Sequence, residues 1–251
     1  MILSIAVMTV ITVALCTFYL APQLNQPRVV FGAEPDAPCE FGCKMSWLAI
    51  RSPDTRAIVE ALGLIDPVSC SWDSGIGTVY DAKLGERHIF VSPPVKGWTF
   101  VVGLSLPHPS SKTFVDKCTP LLVGLGGRFP EVQYFFSFPP LDFFAWARMI
   151  DGRINRAFAA GDEGVIWSKG KTTREEKQLG LKLFELRGVN GRRGDAGGEL
   201  ILHPTEEHVM RIAHAWSLDP TTLDATKAAP ALGYIARSPD TWRAERVRKA
   251  A

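Results

Sequence analysis

The stretch that decides the fold is DFFAWARMIDGRINRAFAAGDEGVIWSKG, residues 142–170. It contains three β-type runs, separated first by Asp151-Gly152 and then by the tetrapeptide GDEG at 161–164. Asp-Gly between apolar runs is a strong signal for a tight hairpin turn. The sequence therefore predicts a three-stranded antiparallel meander here.

Outward from this meander, further runs carry strand or helix signals. EVQYFFSF (131–138), GIGTVYDA (75–82), ERHIFVSPP (86–94) and GWTFVVGLSL (97–106) have the β-branched and aromatic content of strands. Four segments have helical periodicity or start signals: RSPDTRAIVEALGL, KTFVDKCTPLLVGLGG, TTREEKQLG and PTEEHVMRIAHAWSL. We predict an α+β fold, in which an antiparallel sheet is flanked by helices and preceded by one N-terminal transmembrane helix.

The predicted helix starts rest on capping residues. Ser52 followed by Pro53 suits the N-cap and first helical position, and the second segment is expected to be broken or redirected at Pro120. Thr172 or Thr173, followed by Glu175 or Glu176, matches a capping box, and Thr205 caps the last helix.

The N-terminal stretch MILSIAVMTVITVALCTFYLA, residues 1–21, has no charged residue. About 20 consecutive, predominantly apolar residues match the hydrocarbon thickness of a bilayer. No basic residue precedes the run, as it would in a typical signal peptide. The stretch is interpreted as an uncleaved single-pass membrane anchor, followed by a Pro-containing linker at 22–44, a globular domain at 45–220 and a C-terminal extension at 221–251 with a basic end.

The cysteines bear on localisation. Cys16 lies inside the apolar run, and the other four, Cys39, Cys43, Cys70 and Cys118, form an even set that suits disulfides in an oxidising compartment. The alternative is that they are small buried apolar residues, above all Cys70 and Cys118. We expect the globular domain to be exported, on the periplasmic side.

Signatures of catalysis and of cofactor binding are lacking in the sequence. There is no HExxH motif, and GLGGRF at 124–129 lacks the Lys-Ser/Thr of a phosphate loop. His208 and His214 are six residues apart, so they point to different sides of a helix. No metal and no cofactor is expected, and the net charge of +2 gives no field for nucleic acid.

The distinctive residues are tryptophans and arginines on or beside neighbouring predicted strands. They are Trp98, Trp146, Arg148, Arg153 and Arg156. Trp and Arg dominate interaction hot spots, so these residues are the candidate binding face. The alternative is that each Trp is core and each alternating Arg lies on the wet side of the sheet.

Five stretches, SWLAIRSPDT, SPPVKGWTFVVG, EVQYFFSF, AWARMIDGRINRAF and AWSLDP, resemble a bacterial protein group with no assigned activity. The resemblance spans roughly residues 45–220 and implies neither catalytic residues nor a substrate.

Three functions remain open at this point. The first is a membrane-anchored binding or immunity-like protein that recognises a protein partner through its aromatic and Arg face. The second is a membrane-bound hydrolase with a site assembled from scattered residues such as Asp73, His88 and Asp142. The third is a non-catalytic structural domain. The oligomeric state does not follow from the sequence.

Overall fold

The computed structural model describes residues 30–110, 113–162, 164–180 and 204–247. The chain divides into two compact units, Met1–Val30 and Phe31–Ala251, and the fold below is that of the second unit. The predicted anchor, residues 1–21, lies outside the described residues. Within the described ranges, no helix is both long and apolar enough to cross a bilayer.

Strands paired into one antiparallel sheet dominate the described part of the chain. In chain order they are β1 (Ser46–Ile50), β2 (Ile65–Cys70), β3 (His88–Val91), β4 (Thr99–Val102), β5 (Glu131–Phe138), β6 (Phe143–Ile150), β7 (Arg153–Gly161), β8 (Gly164–Gly170) and β9 (Gly233–Arg237). Their order across the sheet is β2-β9-β3-β4-β1-β5-β6-β7-β8. The helices are α1 (Thr55–Ala61), α2 (Trp72–Tyr80), α3 (Cys118–Gly126), α4 (Arg174–Gln178) and α5 (Glu206–Trp216).

The predicted α+β class, with an antiparallel sheet and flanking helices, is confirmed. The meander of residues 142–170 forms β6, β7 and β8, and EVQYFFSF forms β5 directly beside it. Asp151 and Gly152 both have positive φ, 48° and 74°, as the tight turn requires.

Both faces of the sheet are buried over its central strands, whereas edge strand β2 is exposed along most of its length. Face A is the side covered by α2 and α5, and its buried cluster includes Trp47, Phe135, Trp146 and Phe158. Face B is the side covered by α1 and α3, and its buried side chains are mainly aliphatic. Burial on both faces explains why the central strands are near-continuous apolar runs rather than alternating ones.

Two helix starts differ from those expected. α1 begins at Thr55, because Asp54 and not Ser52 accepts the capping hydrogen bond, from Ala57 N at 2.9 Å. Pro120 lies in the first turn of α3 and does not break it, since a first turn has no internal partner for the missing N–H. The capping box of Thr173 with Glu176 and the cap at Thr205 are confirmed.

The prediction of a strand over GIGTVYDA (75–82) is wrong, because residues 75–80 belong to helix α2, which ends at Tyr80. Ser71 caps this helix by accepting a hydrogen bond from Ser74 N at 3.2 Å. Asp36 accepts two more from the first-turn amides, Trp72 N at 2.6 Å and Asp73 N at 2.9 Å. A carboxylate from far away in the chain thus satisfies donors that helix initiation leaves open, and this overrides the β-type local sequence.

Segments on both sides of residues 45–220 contribute to the same unit. Phe41, in the expected linker, is buried on face A, and Asp36 caps α2. β9, in the expected C-terminal extension, lies between β2 and β3 and hydrogen-bonds to both. The compact unit therefore draws on residues before 45 and after 220.

Candidate functional site

Two neighbouring cross-strand rows cross the middle of face A. The first is aromatic: Trp47 on β1 pairs with Phe135 on β5, which pairs with Trp146 on β6, which pairs with Phe158 on β7. The rings of Trp47 and Phe135 stack with centroids 5.2 Å apart, and those of Trp146 and Phe158 lie 4.7 Å apart. Aromatic pairs of this kind contribute roughly 0.5–1.5 kcal/mol beyond the area they bury.

The second row is polar, and it lies two residues along each strand from the first. Gln133 on β5 pairs with Arg148 on β6, and Arg148 pairs with Arg156 on β7. Two arginines directly opposite each other repel, so each must be neutralised locally. Two glutamates do so, Glu131 for Arg148 and Glu176 for Arg156.

The pair formed by Arg156 and Glu176 is internal, and both side chains are 0% exposed. Arg156 Nε donates to both carboxylate oxygens of Glu176, at 2.8 and 2.9 Å. Trp146 Nε1 donates to the same carboxylate at 2.8 Å, and so does the backbone N–H of Thr173 at 2.6 Å. One carboxylate thus fixes β6, β7 and the start of α4 relative to one another.

The environment of Arg148 is more open and forms the candidate site. We call it the Arg/Trp cluster, and its members are Arg51, Trp98, Glu131, Arg148 and Trp216. Arg148 Nε donates to Glu131 Oε1 at 2.7 Å, and Arg51 Nη1 lies 3.7 Å from Glu131 Oε2. The Arg51 guanidinium lies over the Trp98 ring, 5.9 Å from its centroid, and that of Arg148 over the Trp216 ring at 5.6 Å.

The backbone explains why these five residues meet. Arg51 directly follows β1, and its N–H donates to Glu131 O at 3.0 Å where β5 begins. Trp216 ends α5, and its carbonyl accepts from Gln133 Nε2 at 3.0 Å. Gln133 Nε2 also donates to Glu131 Oε1 at 2.8 Å, which orients the carboxylate between the two arginines.

Exposure within the Arg/Trp cluster is graded. The Glu131 side chain is 8% exposed, that of Arg148 28% and that of Arg51 64%. The acid is therefore covered by the two guanidinium groups, while Arg51 remains open to solvent on a fixed aromatic base. A planar cation held on a Trp ring has fewer conformations to lose when it contacts a partner.

Glu175, in the first turn of α4, adds a second acid beside this cluster. Burial of its carboxyl raises its pKa, but hydrogen bonds from its own amide and from Thr173, together with the charge of Arg148, outweigh this and leave the pKa below its ordinary value. Glu175 is therefore ionised near neutral pH. Together with Arg51, Arg148 and Glu131, Glu175 makes the site a surface of mixed charge rather than an anion-binding site.

The structure places the five predicted binding residues in three different settings. Trp146 and Arg156 are wholly buried and present no free face to a partner, whereas Trp98 is 8% exposed, so that only its edge is open to one. Arg153 is exposed at the start of β7; it pairs with Ile150, which pairs with Glu131, so it lies two strands from the cluster. The expected single face is thus corrected: Arg148 and the edge of Trp98 belong to the Arg/Trp cluster, while Trp146 and Arg156 support it from inside.

The cluster also contains three residues that were not predicted: Arg51, Glu131 and Trp216. A local signal existed for Glu131, an acid at the start of an apolar strand, but its partners lie 17 or more positions away in the chain. Their meeting depends on strand register, which a single sequence does not give.

The four described cysteines are free thiols, so the expected disulfides are not formed. Cys70 is buried on face A and Cys118 on face B, on opposite sides of the sheet. Because β-sheet backbone separates them, they cannot pair. Cys43 is exposed and Cys39 half-buried.

Their surroundings predict an order of thiol reactivity. Burial, together with the nearby charge of Asp36, raises the pKa of Cys70 from 9.0 to about 12. At pH 8 this lowers its thiolate fraction roughly a thousandfold relative to an unshifted thiol. We expect iodoacetamide to label Cys43 first in the folded protein and to leave Cys70 and Cys118 unmodified, as read by peptide mass spectrometry. In urea all four should label at similar rates; labelling of Cys70 as fast as Cys43 without urea would contradict the buried placement.

The residues suggested for a hydrolase do not converge. Asp73 lies in the first turn of α2 and His88 begins β3, where its Nδ1 lies 2.7 Å from the Leu84 carbonyl oxygen. Asp142 precedes β6, which is four strand positions from β3 in the sheet, or about 19 Å. Among the described residues, no group of three or more His, Cys, Asp or Glu side chains is placed to hold a metal ion.

Comparisons of the chain with protein-family models, with curated proteins and with solved structures find no match. The fold and the Arg/Trp cluster are therefore the basis for a functional conclusion.

Proposed function

We propose that the protein is a membrane-anchored binding protein that recognises a protein partner through the Arg/Trp cluster. The observation that carries this proposal is the exposed Arg51 guanidinium, held over Trp98 and beside the covered Glu131 carboxylate. Arg and Trp are the residue types most enriched at interaction hot spots, where a desolvated aromatic base adjoins a charged group.

The mixed charge of the site favours a protein over a polyanion. Two arginines and the two acids Glu131 and Glu175 leave no excess of positive charge in the cluster. A partner with a carboxylate beside an aromatic or aliphatic side chain fits this surface, because the carboxylate can accept from the unused N–H groups of Arg51 and the apolar part can pack on the rim of Trp98.

Photo-crosslinking in intact cells tests the proposal. A benzoylphenylalanine at Lys96, an exposed turn residue two positions before Trp98, reports on partners without removing a member of the cluster. The control carries the same group at Arg56, exposed on α1 on face B. We expect a discrete crosslinked protein from position 96 and none from position 56.

A matched pair of substitutions then distinguishes the cluster from the rest of the surface. Arg51→Met should weaken capture of that protein about 30-fold, the size of a 2 kcal/mol hot spot. Arg56→Met, at an exposed arginine on α1 on face B, should leave capture unchanged. Since Arg51 is mostly exposed, its loss leaves the fold intact. Equal capture by the two variants would contradict the assignment of the site.

The membrane part of the proposal rests on the apolar residues 1–21 and is tested through Cys43. A membrane-impermeant maleimide should label Cys43 in intact cells if the domain is exported, and Cys43→Ser should abolish the signal. Deletion of residues 1–21 should move the chain from the membrane to the soluble fraction. Labelling only after permeabilisation would place the domain on the cytoplasmic side and overturn the export part.

A further inference from the structure

A cleft lies on the described part of the chain, apart from the Arg/Trp cluster. It has a volume of about 530 Å³ at the sheet end where β9 ends and β3 begins, and is lined among others by Arg87, Leu104, Ser110 and Trp242. The Arg/Trp cluster is at the opposite strand ends, where β1 ends and β5 begins. The volume lies within the range of about 300–1,000 Å³ that is usual for small-molecule sites.

One wall of this cleft is built by two segments far apart in sequence. The N–H of Val115 donates to Glu245 O at 2.8 Å, and the N–H of Val247 donates to Thr113 O at 2.9 Å. Lys117 reinforces the pairing by donating from Nζ to the Arg243 carbonyl at 2.6 Å. Backbone pairing gives the cleft a defined shape without a ligand.

The polar lining is predominantly cationic. Arg87, Lys117, Arg237 and Arg243 line the cleft, against the two acids Glu86 and Asp240. Three of the four cations have acidic partners: Arg237 with Asp66, Lys117 with Glu245 at 3.7 Å, and Arg243 with Asp240 at 2.9 Å.

Arg87 differs from these three. Its guanidinium has no hydrogen-bond or ion-pair partner among the described residues, and the hydroxyl of Ser110 in the same lining is buried without a partner there. An exposed planar donor group that lacks an acceptor can recognise an oxyanion.

The remaining lining is apolar and open to solvent. Ile65, Leu104 and Val115 are each more than a third exposed, and all three line this cleft. Trp242 and Phe114 add aromatic surface. Exposed apolar side chains gathered in a concavity mark ligand sites, whereas single ones scattered over a surface do not.

From this combination we propose that the cleft binds a small amphipathic anion: an apolar, ring-sized body carrying one phosphate or carboxylate group. The anionic group pairs with the exposed Arg87 guanidinium, and the apolar body packs on Leu104, Ile65 and Trp242. This site is independent of the partner-binding site proposed above and holds whether or not that proposal does.

Binding of 1-naphthyl phosphate to the full-length protein tests the proposal, read by saturation-transfer NMR and titration calorimetry. The matched probes are 1-naphthylmethylamine, which has the same ring with a positive group, 1-naphthol, which is neutral, and inorganic phosphate, which lacks the ring. We expect saturable binding of 1-naphthyl phosphate, at least tenfold weaker binding of 1-naphthol and of phosphate alone, and no saturable binding of the amine.

Substitutions locate the binding. Arg87→Met should weaken the binding of 1-naphthyl phosphate about tenfold or more. Leu104→Asp should abolish saturable binding, because it places a negative charge among the apolar contacts. Arg56→Met removes an exposed arginine outside the cleft and should change nothing. Both cleft residues are exposed, so their variants should keep the wild-type circular dichroism spectrum and thermal midpoint. Equal binding of the anionic and cationic probes, or equal affinity of the Arg87→Met and Arg56→Met variants, would overturn the proposal.

Discussion

Replacing Glu176 by Gln should destabilise the protein by about 3–5 kcal/mol, the usual cost of leaving a buried charge without its partner. Arg156 would remain fully buried and positive, and its Nη1 group would keep only weaker acceptors: the carbonyls of Ala157 and Lys169 at 3.1 and 3.2 Å and the Ser168 hydroxyl at 3.4 Å. Arg148, directly opposite on β6, would keep its own partner Glu131, so that only the charge of Arg156 would be left without an acid.

The geometry explains why an amide of the same size does not substitute for the carboxylate. Three donors converge on the two oxygens of Glu176: Arg156 Nε, Trp146 Nε1 and the N–H of Thr173. A Gln side chain offers one acceptor oxygen and turns an NH₂ group toward one of these donors. The variant therefore loses at least one hydrogen bond in addition to the charge.

Urea unfolding, followed by tryptophan fluorescence, measures this effect. Glu207→Gln is the matched control, because Glu207 pairs with Arg211 on the exposed side of α5 and such pairs contribute only about 0.3–0.5 kcal/mol. A double variant, Arg156→Met with Glu176→Leu, should be more stable than Glu176→Gln alone, since it removes the uncompensated charge. A loss below about 1 kcal/mol for Glu176→Gln would mean that water reaches Arg156 and that the pair does not hold α4 to the sheet.

The sequence predicted the elements whose partners are neighbours in the chain. The hairpins of β5 to β8 follow one another, so Asp151-Gly152 and the apolar runs were sufficient to predict them. Arg148 and Arg156 were found together for the same reason: one turn joins their strands.

Elements whose partners are distant were missed. β9 pairs with β2 and β3, more than 140 residues earlier, and its five residues carry little local signal. Likewise, Arg51, Glu131 and Trp216 meet only through the pairing of β1 with β5 and the packing of α5 against the start of β5. Local propensity contains neither the register nor the helix position, and both are needed to place these side chains.

Helix α2 shows how far a tertiary contact can change the local prediction. Its sequence, with glycines alternating with Ile, Thr and Val, has poor helix propensity. The helix forms because Ser71 and Asp36 satisfy its first amides and because Gly75 allows it to lie directly on the Phe90 ring of β3.

This contact leads to the last prediction, in which two glycines of one helix respond oppositely to Ala. A Cβ at Gly75 would lie 2.1 Å from Phe90 Cδ2 and 2.3 Å from Cε2, in a ring that is wholly buried and also contacts Trp72. Neither the Phe90 ring nor strand β3 can move away without disrupting the packing of the buried cluster on face A. Gly75→Ala should therefore cost about 3 kcal/mol, at the upper end of the usual range for overpacked cores.

Gly77, two residues further along α2, is the matched control, because a Cβ there meets nothing within 4 Å. Gly77→Ala should raise the free energy of unfolding by about 0.5–1 kcal/mol, since Ala has the higher helix propensity. Thermal unfolding of the two variants thus measures packing and propensity separately within one helix. If residues 75–82 instead formed the strand that their sequence favours, Ala at position 77 would not raise the stability through helix propensity. A lowered thermal midpoint for Gly77→Ala, together with an unchanged midpoint for Gly75→Ala, would contradict both the helix and its packing against Phe90.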